Sequence, residues 1–305
     1  MNHKAGFVNI VGNPNVGKST LMNQLVGERI SIATFKAQTT RHRIMGIVNT
    51  DEMQIVFSDT PGVLKPNYKL QESMLAFSES ALKDADVLLY VTDVVENPEK
   101  NRDFLEKVQK MTIPVLLLIN KIDSLTPDSS QKGGESSQQK LAAIVEKWHT
   151  LLPSAEILPI SAKNKFGVDM LLKRIQELLP ESPAYFDKDQ LTDKPARFFV
   201  SEIIREKILL YYDKEIPYSV EVVVERFKED EQKIHINALI YVERESQKGI
   251  IIGHQGYALK KVSSEARKAL EKFFDKHVYL EIFVKVDKDW RSSKKELDAF
   301  GYNPE

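Results

Sequence analysis

Short apolar runs alternate with helix-like stretches over the first half of the chain. Strands that alternate with helices are typical of a mainly parallel, doubly wound sheet. The pattern therefore predicts an α/β domain over residues 1–182. Its expected strands contain the apolar runs 7–11, 55–57, 87–91, 115–119 and 157–160.

The second half of the chain predicts a smaller α+β domain over residues 197–305. An antiparallel hairpin is expected where two strand-like segments flank the polar turn 228–232. Pro183 and Pro195 lie in a polar stretch, which predicts a linker between the domains over residues 183–196. The expected elements are a helix over 198–212, strands over 219–227 and 233–242, a glycine-bearing turn, a helix over 258–274, a strand over 278–286 and a short C-terminal helix.

Composition narrows the possible functions less than the pattern does. The chain of 305 residues exceeds the usual length of one domain, which favours two. Its formal net charge of -1 says nothing about nucleic acid as a partner. The sequence has no cysteine, which excludes disulfides, thiolate catalysis and cysteine-ligated zinc, and which fits a reducing intracellular compartment.

The apolar runs are far shorter than the length of about 20 residues that a membrane-spanning helix needs. The N-terminus enters a strand without a signal-like segment. We therefore expect a soluble, cytoplasmic protein. Residues 124–139 are polar and have too little apolar surface to offset the entropy of ordering them, so a mobile surface loop is expected there.

A phosphate-loop pattern directly follows the first predicted strand and precedes a helix-like segment. Successive backbone N–H groups and the helix N-terminus are expected to face the phosphates of a nucleotide. Lys18 would reach the β- and γ-phosphates, and the Ser19 hydroxyl would bind Mg²⁺. The nucleotide-binding residues predicted from this pattern are Gly12, Asn13, Pro14, Asn15, Val16, Gly17, Lys18, Ser19 and Thr20.

A second motif, Asp59-Thr60-Pro61-Gly62, follows the apolar run 55–57. From the end of a strand, the Asp59 carboxylate can hold Mg²⁺ or one of its water ligands, and the Gly62 amide could sense a γ-phosphate. On its own such a sequence is more often a capped turn. Its distance downstream of the phosphate loop favours a nucleotide site in which all four residues take part.

Two further motifs predict a pocket for the guanine base. Asp123 can accept hydrogen bonds from the ring N–H and the exocyclic amine of guanine, and adenine offers neither donor in that geometry. Such a site rejects the wrong base because its own buried polar groups would stay unsatisfied. The predicted substrate is therefore GTP rather than ATP. The residues predicted for the base pocket are Asn120, Lys121, Asp123, Ser161, Ala162 and Lys163.

The second domain carries a Gly-x-x-Gly sequence between an apolar run and a lysine-bearing helix. Glycines at these positions let phosphates approach the main chain closely. Either feature alone is weak evidence, but their order among the predicted elements resembles a type II KH domain, which binds single-stranded nucleic acid. By that resemblance the RNA-binding residues are Ile251, Ile252, Gly253, His254, Gln255, Gly256, Lys260, Lys261 and Lys268.

The nucleotide motifs, in this order, resemble those of the translation-factor-related GTPases, and residues 36–43 resemble the Era family most. The resemblance implies a P-loop GTPase domain followed by a KH domain. It implies that the Thr40 hydroxyl joins the Mg²⁺ ligands Ser19 and Asp59 when GTP is bound, and that residues 31–43 order with the γ-phosphate. It also implies binding to the 3′ end of small-subunit ribosomal RNA and a GTP-gated step in assembly of the 30S subunit. A monomer is expected.

Two positions qualify the expected chemistry. In Ras-like GTPases a glutamine that orients the attacking water follows the Asp-x-x-Gly motif, whereas this chain has Val63, which predicts slow or differently assisted hydrolysis. Asn15 matches an asparagine that holds K⁺ against the phosphates in potassium-dependent relatives; alternatively, it only braces the loop. The expected catalytic residues are Lys18, Thr40 and Asn15. The expected cofactors are GTP or GDP and Mg²⁺, with K⁺ left open.

Two other functions also stay open. An RNA-binding scaffold would keep a structural GTP site with negligible turnover, as Val63 would permit. A membrane-peripheral regulator would attach to the inner face of the cell membrane through the amphipathic last helices. Turnover with and without RNA tests the first alternative, and co-sedimentation with vesicles tests the second.

Overall fold

The computed structural model describes residues 3–125 and 136–303. Six strands form the first sheet: β1 (Lys4–Gly12), β2 (Ile44–Asn49), β3 (Met53–Asp59), β4 (Val87–Asp93), β5 (Val115–Asn120) and β6 (Glu156–Pro159). Their order is β2-β3-β1-β4-β5-β6, with β2 antiparallel to β3 and the other pairs parallel. The helices of this domain are α1 (Lys18–Val26), α2 (Lys69–Lys83), α3 (Arg102–Gln109), α4 (Ser137–Leu151) and α5 (Val168–Leu178). The predicted doubly wound, mostly parallel sheet is confirmed.

Apolar layers cover both faces of this sheet. Strands β4 and β5 are buried along their whole length, which explains their uninterrupted apolar runs. On one face, Ile10 belongs to the same buried cluster as Leu21 of α1 and Ile175 of α5. On the other face, Leu117 lies in a cluster with Trp148 of α4. The two layers hold the carboxyl ends of the parallel strands together at one edge of the sheet.

Two parts of this domain differ from the sequence-based expectation. The apolar runs of the sequence do not predict β2, which pairs with β3 next to the polar segment 31–43. Part of the loop expected over residues 124–139 is helical instead, because Ser136 caps α4 and forms a capping box with Gln139. Residues 126–135 of that expected loop lie outside the described residues.

The C-terminal part is a smaller α+β unit, as predicted. Its elements are α6 (Ala196–Tyr211), β7 (Glu221–Glu229), β8 (Lys233–Val242), α7 (Glu245–Ile252), α8 (Tyr257–Phe274), β9 (His277–Val286) and α9 (Lys294–Ala299). Strands β7 and β8 form the expected antiparallel hairpin, and β9 pairs with β8 in parallel. Ile204 of α6 and Val262 of α8 belong to the buried cluster beneath this sheet. Helix α7 stands where the pattern predicted a glycine-bearing turn.

The residues between α5 and α6 contact the edge of the first sheet. The Ile47 N–H donates to the Leu191 carbonyl at 2.9 Å, and the Gln54 side chain donates to the Phe186 carbonyl at 2.8 Å. The predicted linker is therefore held against the first domain by hydrogen bonds. The exact domain limits remain a prediction.

The end of the chain packs back on the first domain. Trp290, Leu297 and Tyr302 form one buried cluster with Leu70 and Met74 of α2. This cluster joins the two units through apolar contact as well as through the linker. Within residues 3–125 and 136–303, the helices are too short or too polar to cross a membrane.

Candidate functional site

The phosphate-loop residues lie between the end of β1 and the start of α1. Gly12 has a φ of +148°, and a Cβ atom there would lie 2.1 Å from the Val91 carbonyl oxygen. Gly17 has a φ of +97°, and a Cβ atom there would lie 2.3 Å from Asn120 Nδ2. Glycine is required at both positions because of the backbone conformation and the close neighbours. These contacts fold the main chain into a tight loop whose amide groups can bind an anion.

Lys18 is buried at the start of α1. Its ammonium donates to the carbonyls of Gly12 at 3.0 Å and of Asn13 at 2.8 Å. Burial lowers the pKa of Lys18 to about 8, and the nearby carboxylates of Asp59 and Glu96 oppose that shift. The lysine therefore lies under the loop as a weakly solvated cation, in a position to meet the charge of a nucleotide phosphate.

Three oxygen-bearing side chains converge beside Lys18. Ser19 Oγ lies 2.7 Å from Asp59 Oδ2 and 2.8 Å from Thr40 Oγ1, and Thr40 Oγ1 lies 3.3 Å from the same carboxylate oxygen. The other oxygen, Asp59 Oδ1, is buried without a hydrogen-bond partner among the described residues. Burial raises the pKa of Asp59, while Lys18 and the hydroxyls lower it. Hydroxyl and carboxylate oxygens are the ligands that Mg²⁺ prefers, so this set fits the ion.

The Asp-Thr-Pro-Gly motif presses against the phosphate loop. A Cβ atom on Gly62 would lie 2.6 Å from Pro14 Cα, so the two segments are in direct backbone contact. The Val63 N–H donates to the Gly12 carbonyl at 3.0 Å, and the Val63 side chain is buried in the core. The Thr60 hydroxyl donates to the Ile10 carbonyl at 2.7 Å, which places it between strands rather than in the pocket. The Pro61 carbonyl accepts a bond from a serine of α2 at 2.8 Å.

The predicted base-pocket residues come together at the ends of β5 and β6. Asn120 Nδ2 donates to the Val16 carbonyl at 2.8 Å, and its Oδ1 accepts from the Ala162 N–H at 2.9 Å. Asn120 therefore ties the phosphate loop to the Ser-Ala-Lys segment. The Ser161 hydroxyl donates to Asp123 Oδ1 at 2.6 Å and so orients a carboxylate that is otherwise exposed. Lys163 is also exposed at this rim.

The Gly-x-x-Gly residues form a tight turn between α7 and α8. Gly253 has a φ of +71°, and a Cβ atom there would lie 2.6 Å from the Ala258 Cβ. Gly256 has a φ of +78°, and His254 and Gln255 between the two glycines are exposed. The loop thus presents its main chain and two polar side chains to solvent at the N-terminus of α8, where an anion is favoured.

One predicted RNA-binding residue is wrong. Ile251 is fully buried in the core of the C-terminal unit, and its carbonyl accepts a hydrogen bond from the Tyr212 hydroxyl at 2.6 Å. The reason is that the apolar run belongs to α7, whose inward face carries Ile251. Ile252 is half-buried, whereas Ile250 is 50% exposed and stands on the outer face.

The lysines after the loop are exposed, and two of them contact a neighbouring side chain. Lys261 lies over the Tyr211 ring, 4.5 Å from its centroid, and Lys268 pairs with Glu265 at 2.9 Å. Lys260 is exposed on the first turn of α8. Lys260 and Lys261 therefore lie next to the loop, whereas Lys268, farther along the helix, is paired with an acid.

Residues 7–121 match the family described as 50S ribosome-binding GTPase, and residues 215–291 match the KH domain family. GTPase Era of Clostridium kluyveri is 44% identical over 301 residues, which cover 98% of this chain and 99% of that protein. The chain belongs to the Era GTPase family. A second strain of Clostridium kluyveri gives the same identity and coverage.

Two solved Era structures share the whole architecture. One is Era in complex with MgGDPNP and nucleotides 1506–1542 of 16S ribosomal RNA, with 37% identity and a TM-score of 0.90 over 99% of this chain and 100% of that one. The other is a point variant of Aquifex aeolicus Era bound to GDP and AlF4⁻, with 37% identity, a TM-score of 0.91 and the same coverage. The predicted combination of a GTPase domain and a KH domain is confirmed.

Membership of the Era family settles the chemistry of the nucleotide site. The chain is a GTPase that converts GTP to GDP and phosphate with Mg²⁺. Mg²⁺ supplies positive charge to the β- and γ-phosphate oxygens when it is bound. Turnover is therefore favoured over the alternative of a scaffold that does not hydrolyse GTP.

Sequence reasoning missed three polar residues of this Era-family site. Asp93, the last residue of β4, pairs with Lys121 at 2.7 Å. Its position at the carboxyl end of a parallel strand could have revealed it, because ligand sites of such sheets form at that edge. Glu96 and Asn101 contact Asn13 of the phosphate loop and follow no motif.

Proposed function

We propose that this chain is a GTP-driven switch that binds the 3′ end of small-subunit ribosomal RNA through its KH domain during assembly of the 30S subunit. The relative whose structure holds 16S ribosomal RNA nucleotides matches the chain from end to end. The exposed main chain of residues 253–256 supplies a surface on which phosphates can approach closely.

One observation carries the switch mechanism: the segment before Thr40 contacts both the nucleotide site and the C-terminal unit. Arg205 of α6 donates to the Gln38 carbonyl at 3.2 Å and to the Thr39 carbonyl. Lys36 donates to the Tyr212 carbonyl and to Asp213. A change in the position of Thr40 therefore changes the surface on which α6 rests.

A second arginine extends these contacts beyond Thr40. Arg41 is fully buried, donates to the Val220 carbonyl at 2.7 Å and to the Pro217 carbonyl at 3.1 Å, and pairs with Glu221 at 3.3 Å. His42 stacks on Tyr302 with ring centroids 4.3 Å apart. Five residues on either side of Thr40 thus contact the C-terminal unit: Lys36, Gln38, Thr39, Arg41 and His42.

The roles of individual residues belong to this proposal. Lys18 binds the phosphates, Ser19, Thr40 and Asp59 bind Mg²⁺, and the residues around Asn120 and Asp123 bind guanine. Asn15 is exposed at the mouth of the loop, where it can meet K⁺, and equal turnover in K⁺ and Na⁺ would remove that role. The domains extend over residues 1–182 and 197–305, with the linker at 183–196.

The first experiment measures binding of a single-stranded RNA that copies the 3′ end of small-subunit ribosomal RNA, with a non-hydrolysable GTP analogue and with GDP. We expect tighter binding with one nucleotide than with the other, since the docked surface depends on Thr40. The variant His254→Asp/Gln255→Asp places two negative charges on the loop and should abolish binding while leaving hydrolysis without RNA unchanged.

A matched control uses the same residue types on α4. His149 and Gln138 are exposed there, far from the loop in sequence, and His149→Asp/Gln138→Asp should bind RNA like the wild type. Equal RNA affinities with the two nucleotides would refute gating, and full binding by the loop variant would refute the KH surface.

The proposal places the protein in the cytoplasm as a monomer. Attachment to the inner face of the cell membrane is a separate prediction. Co-sedimentation of the protein with anionic vesicles at physiological salt would support it.

A further inference from the structure

A chain of hydrogen bonds runs from β4 through Asn13 of the phosphate loop to the residue after Gly62, and it includes residues outside the GTPase motifs. The Thr92 hydroxyl donates to Glu96 Oε2 at 2.6 Å, and Asn13 Nδ2 donates to Glu96 Oε1. Asn101 Nδ2 in turn donates to Asn13 Oδ1 and, at 2.9 Å, to the Val63 carbonyl. Glu96 and Asn101 both belong to the segment between β4 and α3.

The direction of these bonds is fixed by Glu96. When Glu96 is ionised, its carboxylate can only accept hydrogen bonds, so it selects the amide orientation of Asn13 that turns Nδ2 toward it. Asn13 Oδ1 must then face the other way, where it accepts from Asn101. Asn13 is 4% exposed, so water has little access to compete for these bonds. The carboxylate thereby determines which way the amide at the centre of the loop points.

The far end of the chain holds the peptide next to Gly62. The Val63 N–H is bonded to the Gly12 carbonyl, and the Val63 carbonyl is bonded to Asn101. Gly62 itself touches Pro14 through the main chain. Val63 is thus held from both sides of its backbone while its side chain is buried. The peptide that carries the Gly62 N–H is held on its other side, since the Pro61 carbonyl accepts from the Ser78 hydroxyl at 2.8 Å.

The surroundings of Glu96 disfavour its ionised form. An acid at such a position is unlike a side chain whose only role is packing. Burial raises the pKa of Glu96 to about 7, and Asp93 adds to that shift, while Thr92, Lys18 and Lys100 oppose it. Burial raises the pKa of the nearby Tyr90 hydroxyl, and the carboxylate of Glu96 adds to that shift. A partly buried acid with one neighbouring acid is unfavourable for folding and is more common at functional sites.

We propose that Glu96 and Asn101 are positioning residues for GTP hydrolysis. Through Asn13 and the Val63 carbonyl, they fix the phosphate loop and the Gly62 amide relative to each other. This chain needs such a brace because Val63 offers no side-chain hydrogen bond where Ras-like GTPases have glutamine. Neither residue touches the substrate in this arrangement; both act through residues that do.

Single-turnover GTP hydrolysis and GDP affinity, measured on the full chain, test the proposal. GDP lacks the γ-phosphate that the Gly62 amide would meet, so the brace should affect hydrolysis and not GDP binding. We expect Asn101→Ala and Glu96→Ala each to lower the hydrolysis rate by about 10-fold or more. Their GDP affinities should stay within about twofold of the wild type.

Three further variants sharpen the result. Glu96→Gln can still accept from Asn13 while the Thr92 hydroxyl turns to accept from the new amide, so it should recover most of the rate lost in Glu96→Ala. The double variant Glu96→Ala/Asn101→Ala should lose less than the product of the two single losses, because both residues hold Asn13, although Asn101 also holds the Val63 carbonyl directly. Arg102→Ala is the matched control, since Arg102 is the exposed neighbour of Asn101 and pairs with Glu106 on the same helix.

Wild-type hydrolysis rates in both alanine variants would overturn the proposal. A loss of GDP affinity in proportion to the loss of rate would also overturn it, because the two residues would then only support the fold of the phosphate loop. Additive losses in the double variant would show that Glu96 and Asn101 act independently rather than through Asn13. A thermal melting curve of each variant verifies that the protein is folded at the assay temperature.

Discussion

At the scale of single residues, the nucleotide site keeps charged side chains where water is largely excluded. Burial lowers the pKa of Lys18 to about 8 and raises the pKa of Asp59. The pKa of Glu96 rises to about 7 for the same reason. Each shift means that the charged form is less favourable in the folded chain than in the unfolded chain. The site therefore lowers the stability of the protein in exchange for placing charge beside a nucleotide.

Glu96→Gln should stabilise the protein above neutral pH. The folded pKa of Glu96 lies above its ordinary value of 4.5, so its contribution to stability is present below pH 4.5 and is lost as the pH rises through about 7. Glutamine never ionises and avoids that loss. We expect a gain of about 1 to 3 kcal/mol at pH 8 in urea unfolding, shrinking toward pH 6.

Glu146→Gln on the exposed side of α4 is the control for this prediction. It should change the unfolding free energy by less than about 0.5 kcal/mol at either pH. A Glu96→Gln variant that is less stable than the wild type at pH 8 would show that the hydrogen bonds of the carboxylate outweigh the unfavourable burial of its charge.

At the scale of elements, the sequence predicts strands best where a motif marks their end. β1, β3 and β5 were recognisable because an apolar run stops at Gly12, Asp59 or Asn120, each of which begins a polar motif. β2 carries no such signal, since it borders a polar segment and its partner β3 decides its pairing.

Helix α7 and the interior polar contacts were harder to predict for a different reason. Gly249 and the three isoleucines after it look like an extended run, and tertiary packing on α8 makes them helical. The misplacement of Ile251 follows directly from that error. Glu96 and Asn101 were invisible because bonds between distant side chains leave no pattern in the sequence. The motifs of the nucleotide site, in contrast, are local and were brought together as expected.

Trp290→Ala should separate the C-terminal segment from α2. Trp290 is fully buried, donates to the Ser219 carbonyl at 3.1 Å and shares a cluster with Leu70 and Phe77. Removing the ring leaves a cavity and an unpaired carbonyl, and we expect a loss of about 3 to 5 kcal/mol in the free energy of unfolding. Chemical denaturation followed by circular dichroism measures it.

Phe283→Ala is the control for this prediction, because it removes an aromatic ring from an exposed position. Phe283 lies on β9 and is 54% exposed. Its effect should stay below about 1 kcal/mol. If Trp290→Ala loses as little unfolding free energy as Phe283→Ala, the cluster around Trp290 contributes little to holding the units together.

At the scale of the whole molecule, the contacts of Arg205 and Arg41 make nucleotide and RNA binding interdependent under the proposed function. Such coupling is reciprocal: a nucleotide that tightens RNA binding must itself be bound more tightly when RNA is present, by the same factor. The buried pair Glu202–Arg205, at 2.6 Å, holds the arginine against the carbonyls that precede Thr40.

The double variant Glu202→Leu/Arg205→Met should weaken this coupling. Replacing both charges avoids leaving one of them buried alone. We expect the ratio of the RNA affinities measured with a GTP analogue and with GDP to move toward one. The ratio of the nucleotide affinities measured with and without RNA should move toward one by the same factor. Glu177→Leu/Arg174→Met removes an ion pair of the same spacing from α5 and should leave both ratios unchanged. Unchanged ratios in the α6 variant would place the coupling elsewhere.

Tyr212, just after α6, is bonded through both its main chain and its side chain. Its carbonyl accepts from Lys36, and its hydroxyl donates to the Ile251 carbonyl at 2.6 Å, two residues before Gly253. Tyr212 therefore connects the segment that contains Lys36, beside the nucleotide site, to the helix that precedes the Gly-x-x-Gly loop. Only the hydroxyl contact depends on the side chain, because a main-chain carbonyl is present at position 212 whatever the residue. Tyr212→Phe should therefore leave the Ile251 carbonyl without this donor while the bond from Lys36 stays in place.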